Sequence, residues 1–263
     1  MASLYTKKTV TKINSKLYAL DFDGVICDSA IETGITGWKV AQHIWRDMPA
    51  HPAEKMINLF RQVRPVMETG YEAVLIMRLL YEGISPARLL ADFANQINHI
   101  IKREKLSTSA LKQQFGETRD HWIANDLAQW IEMNPLFEGV ADKLRQIDPE
   151  QCYIITTKQE RFVSQILAAN NIAFPADRIF GLDRNMSKPQ ILADLLVKHS
   201  GQTILFVEDR LPTLINVIND QRLNDVQLFF AVWGYNTEQD KMDASKQAKI
   251  TTLDLAGFIY LYP

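Results

Sequence analysis

Asp21 and Asp23 flank a single phenylalanine in Asp21-Phe22-Asp23-Gly24. Side chains of extended backbone alternate sides, so this spacing sends both carboxylates to one face while Phe22 turns inward. Two acids sharing a site suit acid, base or nucleophilic chemistry, or a bound cation. Gly24 permits backbone conformations and close ligand approach that a side chain obstructs. The tetrapeptide alone also suits a plain turn or part of a calcium loop. Position favours chemistry, because it closes the apolar run Leu17-Tyr18-Ala19-Leu20, and open parallel sheets bind ligands beyond the carboxyl ends of their strands. Three further groups hold comparable places. Thr156 and Thr157 close the run from Cys152, Lys188 opens a helical pattern in Ser187-Lys188-Pro189, and Glu208-Asp209 ends the run from Thr203. Taken singly, each has a local role: a hydroxyl caps, a lysine is solvated, and an acidic pair starts a helix.

The elements that must position these groups follow from periodicity. Short apolar runs at Leu17–Leu20, Cys152–Thr156, Arg178–Gly181, Thr203–Val207 and Val226–Trp233 read as buried strands. Between them Phe137–Ile147, Arg161–Ala169 and Gln190–Val197 carry helical spacing. Strand and helix alternate, which predicts an α/β fold with a parallel sheet covered on both faces. Residues 30–135 break the alternation with helical patterns such as Tyr71–Tyr81 and Pro86–Ile101 and no convincing strand. A strand crossover needs only about a dozen residues, so roughly a hundred form an all-helical insertion. Asn134-Pro135 marks the return to the sheet. The expected organisation is a flexible leader over 1–16, an α/β core from 17–29 and 136–263, and a helical cap over 30–135.

The 263 residues carry 47% hydrophobic and 23% charged side chains, ordinary globular values that exclude collagen-like and wholly disordered chains. A formal net charge of -2 gives no general attraction for nucleic acid or anionic lipid. No stretch has the 18 or so uninterrupted apolar residues that span a bilayer, and no apolar secretory core precedes Lys16. Cys27 and Cys152 read as small buried thiols in a reducing, cytoplasmic interior.

Taken in order, these groups resemble the four motifs of the haloacid dehalogenase superfamily, in its helical-cap subgroup similar to phosphoglycolate phosphatase and β-phosphoglucomutase. The Asp-x-Asp-Gly strand end, the Thr156 hydroxyl, the Lys188 helix start and the Glu208-Asp209 strand end are the matching residues. The resemblance covers nearly the whole sheet domain and implies a Rossmann-like core. It implies hydrolysis of a small phosphomonoester, with Asp21 as nucleophile forming an aspartyl-phosphate and Asp23 as acid and then base. Gly24, Thr156, Thr157 and Lys188 would bind phosphate. Four clustered acids repel by about 4 kcal/mol per pair at 4 Å and an effective dielectric near 20, which a divalent cation relieves. An oxygen-only donor set favours Mg2+ over zinc. Asp21 and Asp209 would hold it, with the Asp23 backbone carbonyl and Glu208. Many relatives carry another aspartate four residues after this pair, where this chain has Thr213.

Specificity is expected in the cap, where Arg61, Arg64, Glu68 and Tyr71 surround Pro65, and Arg61 and Arg64 are substrate candidates. Arg210 is expected to pair with an acid at the surface. The expected partner is a small phosphorylated metabolite rather than nucleic acid or membrane. Two other readings remain open: a β-phosphoglucomutase-like phosphosugar mutase, and a scaffold with a degenerate phosphate site.

Overall fold

Alternation within each strand sends side chains into two separate apolar layers. The computed structural model describes residues 16–261, so nearly all of the expected leader lies outside the described residues; Lys16 already opens the first strand. Six strands, β1 (Lys16–Leu20), β2 (Cys152–Ile155), β3 (Ile179–Phe180), β4 (Thr203–Glu208), β5 (Gln227–Ala231) and β6 (Ile250–Leu253), form one sheet in the order β3-β2-β1-β4-β5-β6. Every pairing is parallel. Register fixes which residues share a face: Tyr18 lies opposite Cys152 and Leu205, and Leu20 opposite Ile154 and Val207. These side chains enter one layer, while Leu17, Ala19, Tyr153, Ile204 and Phe206 enter the other.

Between β1 and β2 run α1 (Ala30–Ile44), α2 (Glu54–Val63), α3 (Glu72–Tyr81), α4 (Pro86–Ala91), α5 (Phe93–Arg103) and α6 (Thr108–Glu132). The pattern read as one helix over Pro86–Ile101 is two, because Asp92 leaves helical geometry at φ -146°, ψ 41°. The six helices build their own core around Trp38, Phe60, Met77 and Phe115. After Pro135 come α7 (Val140–Gln146), α8 (Glu160–Ala169), α9 (Lys188–Lys198), α10 (Leu211–Ile218), α11 (Glu238–Ser245) and α12 (Leu255–Tyr260). Val140, Phe162 and Phe258 bring α7, α8 and α12 to one sheet face, and Ile191, Leu214 and Ala244 bring α9, α10 and α11 to the other. The edge strand β6 went unread in the sequence: its residues Thr251 and Thr252 are exposed, and only Ile250 is buried.

The two chain passages joining core to cap pair with each other. Asp28 N–H donates to the Pro135 carbonyl at 2.8 Å, and Phe137 N–H to the Ile26 carbonyl at 3.1 Å. Just beyond, a buried polar group fastens α6 to α1. Arg119 donates to both oxygens of Glu32, at 2.8 and 2.6 Å, and Trp130 and Thr36 donate to the same carboxylate. Because the fork of a guanidinium matches a carboxylate where an ammonium does not, Arg119→Lys is expected to lower unfolding free energy by about 2 kcal/mol in urea denaturation. An unchanged midpoint would show that charge alone suffices there.

Candidate active site

The strand order reverses direction between β1 and β4, the switch point at which such sheets open a crevice. Asp21 follows β1 immediately and its N–H donates to the Val207 carbonyl at 3.0 Å, fixing it beside the end of β4. Thr156 follows β2 and donates its N–H to the Phe180 carbonyl at 2.9 Å. Lys188 is the first residue of α9, whose start is held by a Ser187–Gln190 capping box with Pro189 in the first turn. Phe22 is fully buried in the core layer, as its inward turn requires.

These placements converge on one cavity of about 190 Å³. Its walls include Asp21, Asp23, Thr156, Thr157, Lys188 and Asp209 from the core and Arg64, Met67 and Glu68 from the cap. Lys188 Nζ lies 2.9 Å from Asp21 Oδ2 and donates to Glu208 Oε2 at 2.7 Å. Burial, opposed by Lys188 and assisted by Glu208, pushes the Asp21 carboxyl up to about 7. Burial also works against the Lys188 charge, yet Asp21 and Glu208 outweigh it and raise its pKa. Glu208 is fully buried and has both oxygens occupied, Oε1 accepting from the Arg210 N–H at 3.0 Å.

Asp23 stands in a different environment. Burial works to raise its pKa, but Lys158, Arg64 and the Ser29 hydroxyl overturn that and hold it at about 2. Lys158 Nζ donates to Asp23 Oδ1 at 2.9 Å, and Ser29 Oγ donates to the same oxygen. Two neighbouring acids therefore titrate in opposite directions, Asp21 upward and Asp23 downward.

Asp209 accepts the Tyr235 N–H on Oδ2 at 2.6 Å, while its Oδ1 is buried and accepts no hydrogen bond. Burial, then Glu208 and Asp21, push its pKa well above the usual carboxylate range. Among the described residues no cation forms an ion pair with it. Asp21, Glu208 and Asp209 each bring a carboxylate oxygen within 4.8 Å of the others. An all-oxygen set with an orphaned buried carboxylate oxygen fits a hard divalent cation such as Mg2+. Of the three, Asp209 alone keeps a buried oxygen with no hydrogen bond, whereas Asp21 and Glu208 are each engaged on both oxygens.

Two glycines set how closely the loops approach. A Cβ on Gly24, whose φ is +92°, would lie 1.9 Å from Asp209 Oδ2. A Cβ on Gly234 would lie 2.4 Å from Asp209 Cβ and from the Gly24 carbonyl oxygen. No other residue type fits either position without displacing the acid.

Of the cap candidates, Arg64 reaches the cavity and Arg61 does not. The helix α2 stops at Val63 and a tight turn over Arg64–Val66 swings Arg64 inward. Arg61, left on the exposed side of α2, meets Asp28 Oδ2 at 3.2 Å instead of entering the cavity wall. Thr157 lines the cavity and donates its hydroxyl to the Glu68 carbonyl at 3.2 Å, joining core to cap. Thr213 also lines it, where the resemblance anticipates an acid. Arg210 meets an acid as expected, its Nη1 lying 3.5 Å from Glu68 Oε1, yet it too lines the cavity. Sequence reasoning assigned no role to Lys158 or Tyr235. Lys158 was visible two residues after Thr156, but nothing local signals an ion pair across 135 residues.

No protein-family model and no curated protein matches the sequence. Solved structures do. A haloacid dehalogenase-like hydrolase family protein from Streptococcus pneumoniae is 16% identical with a TM-score of 0.54, covering 94% of this chain and 96% of its own. A protein from Haemophilus somnus described as a predicted phosphoglycolate phosphatase is 16% identical with a TM-score of 0.56, covering 95% and 99%. A predicted phosphatase from Clostridium acetobutylicum is 13% identical with a TM-score of 0.53, covering 94% and 97%. The likeness spans sheet and helical insertion together, and the chain has the haloacid dehalogenase-like hydrolase fold.

Proposed function

We propose that this chain is a magnesium-dependent phosphatase that hydrolyses a small phosphomonoester through an aspartyl-phosphate on Asp21. The observation that carries the reading is the convergence of Asp21, Thr156, Lys188 and Asp209 on one cavity at the carboxyl ends of β1, β2 and β4. That cavity, about 190 Å³, is smaller than pockets for drug-sized ligands, which run from about 300 Å³ upward. A small phosphorylated metabolite in a reducing, cytoplasmic setting suits the cavity, the modest net charge and the two free buried cysteines. Among the described residues no helix is long and apolar enough to cross a membrane.

In this reading an Asp21 oxygen bonds to phosphorus as the bond from phosphorus to the leaving oxygen breaks. Lys188 orients the attacking carboxylate and, with the Thr156 hydroxyl, holds phosphoryl oxygens. A cation held by Asp21, Asp209 and the Asp23 carbonyl supplies charge neutralisation when bound. Asp23 gives a proton to the departing oxygen, then takes one from the water that cleaves the aspartyl-phosphate. Lys158 keeps Asp23 ionised before substrate arrives; the negative charge of an entering phosphoryl group favours its protonation, and the proton it then delivers comes from the substrate monoanion or from solvent. Cap closure excludes competing water during the first transfer.

Phosphate release from a panel of phosphomonoesters tests the reading. Added Mg2+ is expected to raise release from at least one member by at least about tenfold over a chelated control, the low end of several kcal/mol of metal stabilisation. Equal rates with and without metal, or no release across the panel, would overturn it.

A further inference from the structure

Between α1 and α6 the helical unit carries an open groove of about 480 Å³ that shares no residue with the cavity at the strand ends. Small-molecule pockets run from about 300 to 1,000 Å³, so this volume admits a ligand. Val40 and Trp122 are its buried apolar members, with Lys39, His43, Glu117 and Thr118 around them. Lys39 Nζ lies over the Trp122 ring, 3.4 Å from its centroid. The indole is itself fixed, since its Nε1 donates to Gln129 Oε1 at 2.8 Å. A half-buried ammonium ordinarily finds an oxygen. Lys143, Lys158, Lys188 and Lys241 each do, on the Leu261 carbonyl, Asp23, Asp21 and Glu238. Among the described residues the half-buried Lys39 ammonium makes no ion pair and no hydrogen bond, only the ring contact.

The neighbours that could have served Lys39 are engaged elsewhere. Glu117, the acid in the groove wall, accepts from Gln113 at 2.8 Å, and His43 donates Nδ1–H to the Lys39 carbonyl at 2.7 Å. Burial pulls the Lys39 pKa down, opposed by Glu32, which is itself paired with Arg119. We propose that this groove binds a small monocarboxylate carried on a ring-sized apolar body, with Lys39 pairing the carboxylate and Val40 and Trp122 receiving the body. An anion beside Nζ supplies the missing acceptor, and the attached body covers apolar surface that water now meets. With one fixed cation and the Glu117 carboxylate in the same wall, the groove suits a monoanion over a dianionic phosphate. The site lies wholly in the helical unit, joins α1 to α6, and stands or falls independently of the phosphatase reading.

Phenylacetate, its neutral amide and acetate, titrated by calorimetry into the full chain, test this without any reliance on turnover. Phenylacetate is expected to bind with a Kd of about 1 mM or below. Phenylacetamide, which lacks the charge, and acetate, which lacks the ring, should each bind at least about tenfold more weakly. Lys39→Met should erase the preference for phenylacetate over its amide, and Lys39→Arg should keep it. Thr118→Trp leaves Lys39 in place but fills the groove, and should abolish phenylacetate binding. Equal affinity for acid and amide, or a preference that survives Lys39→Met, overturns the site. Equal affinity for acetate and phenylacetate also overturns it, since Lys39 would then hold a counter-ion only. No saturable binding of phenylacetate overturns it outright. Should Lys39→Met fail to melt cooperatively, Thr118→Trp decides, with retained phenylacetate binding as the result that overturns the groove.

Discussion

Asp21→Asn is expected to abolish phosphate release, by on the order of ten-thousandfold or more, as removal of a nucleophile typically does. The substitution keeps the shape of the side chain and its place beside Lys188, and the Phe22 N–H, 2.7 Å from Oδ1, keeps an acceptor if the amide oxygen faces it. The fold should survive. Burial raises the Asp21 carboxyl to about 7 from an ordinary 3.8. A raised acid binds its proton more tightly folded than unfolded, so the wild-type chain loses stability as pH climbs between those values. Asparagine has no charge to desolvate. In metal-free protein at pH 8 the variant is therefore expected to equal or exceed wild type in urea midpoint. Retained turnover would sink the nucleophile assignment, and lost turnover with lost folding would leave Asp21 a structural residue.

The second large effect concerns Lys158, whose side chain is 1% exposed and whose only ion pair among the described residues is with Asp23. Lys158→Met leaves a buried carboxylate without that partner and is expected to cost about 3 to 5 kcal/mol at neutral pH. The pH dependence separates charge from packing. In wild type Asp23 is held at about 2, below its ordinary 3.8, so the stability it contributes is present above 3.8 and is lost as pH falls through 2. Without Lys158, burial is the largest influence left, opposed by Arg64 and Ser29; it is expected to raise the carboxyl, so that folding draws a proton and stability falls as pH rises. The gap between variant and wild type should widen from pH 4 to pH 8 in urea titrations. A constant gap would mean that Lys158 acts through packing alone.

What the sequence made legible was the local part of the site. Asp21, Thr156 and Glu208-Asp209 terminate apolar runs, and alternation along those runs places them at one end of the sheet without any three-dimensional information. Lys188 sits beside a capping signal, Ser187 with Gln190, that marks its helix start. The edge strand β6 escaped because a half-exposed strand with threonines at its centre lacks an apolar run. The break at Asp92 escaped because periodicity persists through a single non-helical residue. Lys158 and Tyr235 act through contacts between distant segments, which neither spacing nor composition records. Arg61 and Arg64 lie three apart and look alike in sequence; only the end of α2 at Val63 sends one inward and leaves the other at the surface.

The paired linkers at Asp28–Pro135 and Ile26–Phe137 carry a mechanical corollary. The first linker is the same short stretch that begins at Asp23, and Ser29, six residues on, both precedes α1 and donates to the Asp23 carboxylate. Rotation of the helical unit about this joint would strain the Ser29 contact. In the proposed reading, a cap held ajar would therefore also disturb the acid that serves the leaving oxygen.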